Sequence, residues 1–162
     1  MEDSKGWIAT GWLDAADRPL WHAQASDLAA ARALFASAVD ACSLLVVADV
    51  SAVSDVELGA FAAAAIRCGA RAVGIQGAGS DRFEWCFDWA ADEWERETGG
   101  VGDGCIMTWS MGVHELDQAW LMFFHSGGCV HPFFEREVRS ARLIVIGEGP
   151  SLDEIARTTL ET

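Results

Sequence analysis

Short apolar runs alternate with amphipathic segments along most of this chain, from Ser26 onward. Strands whose two faces are both covered by helices lose the alternation of polar and apolar residues and become apolar throughout. The pattern therefore predicts an α/β fold, a three-layer α/β/α sandwich around a mostly parallel sheet of five or six strands. Four apolar runs are the clearest predicted strands: Leu44–Asp49, Ala72–Gln76, Cys105–Ser110 and Arg142–Gly147.

Residues with capping chemistry mark the ends of the predicted helices. Ser54 and Glu57 have the spacing of a capping box, and Gly69 closes the helix that this box begins. Ser151 and Glu154 form a second box before the last helix. The other helices are predicted to begin at Ser26-Asp27, at Ser80-Asp81 and around His114-Glu115, the last of these stopping at Gly127-Gly128.

The N-terminal segment allows two interpretations. Gly6–Leu13 and Pro19–Ala25 form a β-hairpin joined to the sheet, or they supply one edge strand and an arm. No linker or internal repeat divides the chain, so we expect one domain over residues 1–162. In that domain, residues 1–25 are the hairpin or arm and residues 26–162 the repeating helix–strand units.

Charge narrows the range of partners. The chain has 162 residues, with 25 acidic residues against 11 basic ones and a net charge of −14. Binding to nucleic acid or to an anionic membrane needs clustered Lys and Arg, so neither is expected as a partner. A protein with a basic surface fits this charge, because opposite charges accelerate encounter.

Two further features of the sequence bear on where in the cell the protein is found. Residues 1–5 are not followed by the apolar stretch of a signal peptide, and no apolar run approaches the ~20 residues needed to span a bilayer. The five cysteines are an odd number and contain no C-x-x-C pair, which favours reduced thiols. We therefore expect a cytoplasmic protein.

The loops that follow the predicted strands are one candidate ligand site. In open α/β sheets, ligands bind beyond the carboxyl ends of the strands. Residues 77–81 could cradle a phosphate, but they lack a dinucleotide fingerprint and a P-loop ending, and a tight turn capped by serine explains them as well. No cofactor is predicted. The candidate ligand-binding residues are Asp49, Gly77, Gly79, Ser80, Asp81 and Ser110.

A metal site is a weaker alternative. His125, Cys129 and His131 carry side chains that suit Zn²⁺, although their spacing matches none of the recurrent zinc patterns. Capping or solvated histidines account for the same residues, and we predict no metal.

The tryptophans are the most unusual feature, because the chain has eight of them and no tyrosine. Trp85 and Trp89 lie four residues apart on the third predicted helix, offset from its core stripe, so we expect that one or both face a partner. Alternatively, the tryptophan-containing N-terminal segment covers them. Acidic residues on the same helix complete the candidate protein interface: Glu84, Asp88 and Asp92.

Four segments together resemble an uncharacterised bacterial family of small α/β proteins. They are Ile106–Trp109, the aromatic stretch Trp120–Phe124, His131-Pro132 and Leu143–Ile146. The resemblance extends from about Leu44 to Gly147. It implies a compact α/β fold and no particular activity, and Ser110 stands where that family often has a histidine.

Two hypotheses follow for function. The first is a non-enzymatic regulatory or neutralising domain that binds a protein with a basic surface, since the sequence contains no complete catalytic set. The second is a small-ligand or nucleotide-binding domain, conceivably an enzyme, with its site at the strand ends. A homodimer is compatible with either hypothesis.

Overall fold

A six-stranded sheet with helices on both faces accounts for the described residues of the computed structural model, which are 6–36, 40–99 and 106–158. The strands are β1 (Ile8–Leu13), β2 (Pro19–Ala25), β3 (Cys42–Ala48), β4 (Ala70–Gln76), β5 (Met107–Met111) and β6 (Ser140–Ile146). The helices are α1 (Leu28–Ala33), α2 (Asp55–Cys68), α3 (Ser80–Glu97), α4 (Leu116–Trp120) and α5 (Leu152–Arg157). Cys105, the predicted start of the third strand, lies outside the described residues.

The order of the strands is β1-β2-β6-β3-β4-β5. β1 pairs antiparallel with β2, and every other neighbouring pair is parallel. The predicted hairpin is therefore confirmed, as are the α/β class and the mostly parallel sheet. In the hairpin turn, one carboxylate oxygen of the buried Asp14 accepts hydrogen bonds from the backbone N–H groups of Ala16 and Arg18, both at 2.9 Å.

Alternate residues of each central strand point into two separate cores. In β3, Leu44 and Val46 face α1, α2 and α3, whereas Leu45 and Val47 face the opposite layer. The first core contains edge-to-face and tilted contacts among Phe35, Phe61, Phe83 and Phe87. The second contains Trp120, Phe123 and Ile155 from the α4–α5 side. The two cores lie on opposite faces of the sheet, between it and its two helical layers, so the structure has the three predicted layers.

Helix α2 begins and ends as its sequence predicts. The Ser54 hydroxyl accepts a hydrogen bond from the Glu57 backbone N–H at 3.3 Å, and the Glu57 carboxylate accepts one from the Ser54 N–H at 3.4 Å. Gly69 ends the helix with a φ of 133°. Ser151 and Glu154 form the same reciprocal pair at the start of α5. Helix α3 differs, because its N-cap is Gly79 and no side chain caps it.

The fourth predicted helix is less regular than expected. Helix α4 continues as a π-helical turn over Leu121–His125, and the chain then turns at Gly127 and Gly128, whose φ values are 70° and 72°. A β-carbon on Gly128 would come within 2.7 Å of the Ser43 side chain, so glycine lets the turn approach β3 closely. Within the described ranges, no helix is both long and apolar enough to cross a membrane.

Candidate functional site

The predicted ligand-binding residues lie together at the carboxyl ends of the parallel strands. The loop after β3 leads to one helical layer and the loop after β6 to the other, so the strand ends open into a cleft between them. A cavity of about 260 Å³ there is lined by Asp49, Gln76, Gly77 and Glu148 among others. An adjoining depression of about 380 Å³ is lined by Gly77, Gly79, Ser80, Asp81 and Ser110.

The polar groups of this cleft are engaged within the protein. The Ser80 hydroxyl donates to the Met111 carbonyl oxygen at 2.9 Å, and the Gln76 amide donates to the carbonyl oxygens of Gly112 and Val113 at 2.9 and 3.1 Å. Asp49 accepts hydrogen bonds from the backbone and hydroxyl of Ser51, which lower the pKa of its carboxyl group. Asp49 therefore caps the turn after β3 as a carboxylate.

The glycines of the loop after β4 are required by packing. A β-carbon on Gly77 would overlap the carbonyl group of Ala48, and one on Gly79 would come within 3.2 Å of the Ser51 backbone nitrogen. Both residues also have positive φ values, 132° and 79°. Moreover, the backbone N–H of Gly77 donates to the Met111 carbonyl oxygen at 3.0 Å. Close contact with the β3–α2 loop thus explains this turn without a phosphate.

The three residues of the alternative zinc site make other contacts in the structure. The His131 imidazole accepts a hydrogen bond from the Phe133 backbone N–H at 3.1 Å, and the His125 ring packs edge-on against Phe124. Burial raises the pKa of the Cys129 thiol, which disfavours the thiolate that a metal binds. Among the described residues, no group of three or more His, Cys, Asp or Glu side chains could hold a metal ion.

The outer face of α3 carries two large exposed apolar side chains. Trp85 is 69% exposed and Trp89 is 67% exposed. The inner face of the helix buries Phe83, Phe87 and Ala90 against the sheet, so the two tryptophans lie on the side that faces away from the core. Exposure of a large apolar side chain to water is unfavourable, and two such side chains one helical turn apart form an apolar patch of the kind found at contact surfaces.

The described part of the N-terminal segment, from Gly6 to Ala25, does not cover these tryptophans. Trp7 is fully buried elsewhere, where it meets Phe35 edge-on and the Arg142 guanidinium lies 4.7 Å from the centre of its ring. Strands β1 and β2 form one edge of the sheet, whereas α3 follows β4 and precedes β5 at the other edge. The alternative of an internal cover from the N-terminal segment is therefore wrong for the described part of the chain.

A groove separates α3 from α2 beside the two tryptophans. It encloses about 510 Å³, and its lining includes Gly59 and Ala63 of α2 and Trp85, Cys86 and Trp89 of α3. Burial raises the pKa of the Cys86 thiol, so this side chain behaves as a small neutral group. We call this depression the α2–α3 groove.

Arginine contacts hold one end of the α2–α3 groove. The Arg82 guanidinium donates to the carbonyl oxygens of Val50 and Val53 at 2.7 and 2.6 Å and lies 3.4 Å from an Asp55 carboxylate oxygen. These contacts tie α3 to the loop before α2. Both guanidinium–carbonyl bonds span about thirty residues of sequence. Because the donor lies on α3 and both acceptors lie just before α2, the bonds connect the two helices.

Acidic residues flank the tryptophans on the side of α3 that faces β5, whereas both arginines of the helix, Arg82 and Arg96, line the α2–α3 groove. Helix α3 contains seven acidic residues and two arginines. The carboxylates of Glu84 and Asp88 accept hydrogen bonds from the Ser110 and Thr108 hydroxyls of β5, which holds them along that side of the helix. Asp92 pairs with Arg96 at 3.1 Å. Trp85, Asp88, Trp89 and Asp92 also line a shallow depression of about 290 Å³.

The structure thus brings together the five predicted interface residues and adds others that the sequence prediction missed. Gly59 and Ala63 belong to α2, and Val56, one turn before Gly59, is 83% exposed. A sequence signal existed, because the spacing of Val56, Gly59 and Ala63 puts them on the side of α2 opposite its buried residues. No family model, curated protein or solved structure matches this chain, and the resemblance to a bacterial α/β family remains a prediction.

Proposed function

We propose that this protein binds another protein that presents basic side chains, and that the outer face of α3 is its contact surface. The observation that carries the proposal is the exposure of both Trp85 and Trp89, at 69% and 67%. Tryptophan is enriched among the residues that dominate binding energy, because its ring buries a large area with few rotatable bonds.

The charge of the same face supports a basic partner. The net charge is −14 for the chain, and α3 carries an excess of five acidic residues. Carboxylates at the rim of an interface accelerate encounter with a cationic surface and add less to the final affinity. We therefore propose that Asp88 and Glu93 accelerate association with the partner, whereas the tryptophans slow its dissociation.

Binding kinetics with a defined probe test this proposal. The probe is a peptide of roughly 18 residues that contains leucine, lysine and arginine, and its counterpart has glutamate at every basic position. The double variant Trp85→Ala/Trp89→Ala should weaken binding at least about tenfold through faster dissociation. The variant Asp88→Asn/Glu93→Gln should slow association, with the largest effect at low salt.

Matched controls separate the surface from the total charge. The variant Glu148→Gln/Asp153→Asn removes the same number of charges from exposed positions beyond β6, and Trp12→Ala removes an exposed tryptophan of β1. Both should bind the basic peptide like the unmodified protein. Equal affinity for the two peptides, or no effect of the tryptophan replacements, would reject the proposal.

A second candidate function is the binding of a small molecule in the strand-end cleft. The observation in its favour is that all the predicted ligand residues border this cleft, next to the point where the sheet order reverses. The carboxylates of Asp49, Asp81 and Glu148 favour a neutral or cationic molecule over a phosphate. Native mass spectrometry of gently purified protein should then show an added mass that Val113→Trp, at the exposed rim of the cleft, removes. A spectrum without added mass would contradict this function.

A further inference from the structure

The α2–α3 groove has a floor of unusually small residues. Gly59 and Ala63 are one helical turn apart on α2, and the indole rings of Trp85 and Trp89 stand beside them on α3. The groove follows α3 from Arg82 to Arg96, which corresponds to roughly 21 Å at about 1.5 Å per residue. That length matches about four turns of a helix.

Gly59 is not required by the fold of this chain. It lies inside α2, where glycine is less favourable than alanine, and no atom lies within 4 Å of the position that its β-carbon would occupy. In contrast, Gly74, Gly77 and Gly128 each have a neighbour that a β-carbon would overlap. The open space at Gly59 therefore belongs to the groove.

Resting on the proposed function, we infer that the α2–α3 groove receives an amphipathic helix of the partner. Its apolar side chains would pack between Trp85, Trp89 and the floor at Gly59. Basic side chains along its edges would face the carboxylates of Glu93 in the groove and of Asp88 beyond the tryptophans. The groove lining itself is balanced, with Asp55 and Glu93 against Arg82 and Arg96, but the acidic residues on the other side of the tryptophans leave α3 with an excess of five negative charges, and this excess identifies a basic occupant.

A helix fits the groove better than an extended segment does. The walls of the groove are helices, whose backbone groups are already hydrogen-bonded along most of their length. An extended segment would find few backbone partners there, and its own N–H and C=O groups would lose water without compensation. A helix satisfies its backbone internally and needs only side-chain contacts.

A second copy of the chain fits less well than a basic helix. Two copies joined through this face would bring two acidic α3 helices together, each with an excess of five negative charges. Like charges placed opposite one another repel and weaken an interface.

The test compares two peptides of identical composition on variants of Gly59. One peptide has leucine at helical spacing on one side and lysine and arginine on the other, and its scrambled counterpart has no apolar stripe. Gly59→Leu places a large side chain on the groove floor at a position where the added β-carbon meets no atom of this chain, so the protein should remain folded. Ala29→Leu places the same side chain on an exposed position of α1, outside the groove, as the matched control.

The expected result has three parts. The unmodified protein binds the striped peptide at least about tenfold more tightly than the scrambled one, and the circular dichroism of the mixture shows a gain of helix. Gly59→Leu weakens this binding at least about tenfold, whereas Ala29→Leu does not. Gly59→Ala raises the Tm of the free protein.

Three results would overturn the inference. If Trp85→Ala/Trp89→Ala abolishes binding but Gly59→Leu has no effect, the proposed function stands and the helix in the groove is wrong. If the bound peptide gains no helix, the occupant is an extended segment. If the protein alone forms a dimer that Gly59→Leu dissociates, the occupant is a second copy. Loss of the proposed function itself would instead appear as no effect of either the tryptophan or the Gly59 variants.

Discussion

The indole ring of Trp109 lies against the backbone of Gly74, in the space that a β-carbon would occupy. The two residues are directly opposite one another in the register of β4 and β5. The ring packs with the core on the α4–α5 side of the sheet. Gly74 is therefore required by packing, because the indole ring occupies the place of a side chain at that position.

Replacing Gly74 should destabilise the protein. Gly74→Ala forces the Trp109 ring away from β4, and overpacking of this kind costs about 1–3 kcal/mol. We expect the free energy of unfolding, measured with urea, to fall by about that amount. Gly59→Ala is the matched control, because its added methyl group meets no atom and should stabilise the protein by roughly 0.5–1 kcal/mol. Equal effects of the two replacements would contradict this account.

Arg71 should contribute far more to stability than the exposed Arg67 nearby. The buried Arg71 guanidinium lies 4.2 Å from the centre of the Trp94 ring, donates to the Ile66 and Ala70 carbonyl oxygens at 2.8 and 3.0 Å, and pairs with Glu137 at 3.6 Å. Burial lowers the pKa of Arg71, yet an arginine side chain stays charged at neutral pH.

Arg71→Met keeps an apolar stem but removes the guanidinium group that donates to the Ile66 and Ala70 carbonyl oxygens and stacks on Trp94. We expect it to lower the free energy of unfolding by about 2–4 kcal/mol. Arg67→Met removes only an exposed pair with Glu97, at 3.3 Å, and should change stability by less than about 0.5 kcal/mol. Similar losses in the two variants would show that the stacking on Trp94 has no special role.

The stability of the protein should fall as the pH decreases through the range of histidine titration. Burial lowers the pKa of His22, and the Nε2 atom of its ring has no hydrogen-bond partner among the described residues. The unfolded state binds a proton near the ordinary value of 6.5, so below that pH it holds more protons than the folded state. The contribution of His22 is therefore complete above about pH 6.5 and declines as the pH falls toward the lowered folded value.

His22→Gln removes this titration and serves as the comparison. Urea unfolding at about pH 7.5 and about pH 5.5 should show a smaller loss of stability in the variant than in the unmodified protein. Because this pH range lies above the pKa of most carboxyl groups, the difference between the two proteins reports on the His22 imidazole. The same loss in both proteins would mean that another group causes the pH dependence.

Local sequence determined much of the architecture. The apolar runs at β3, β4 and β6 placed three central strands to within about two residues, because a strand covered on both faces has few polar positions to interrupt it. Ser54 and Ser151 marked two helix starts, since capping depends on residues only three positions apart. The π-helical turn at Leu121–His125 was not predictable by the same means, because no local residue preference distinguishes it from α-helix.

The tryptophan surface was likewise predictable from the sequence only in part. The sequence alone determined that Trp85 and Trp89 share one side of a helix whose other side is apolar, because helical periodicity depends only on spacing. Only the tertiary structure decided that no described N-terminal residue covers them, because Trp7 is buried at a distant site and β1 and β2 occupy the far edge of the sheet. It also decided that Gly59 of α2 forms a groove with these tryptophans, since helices separated by a strand become neighbours only through the packing of the sheet.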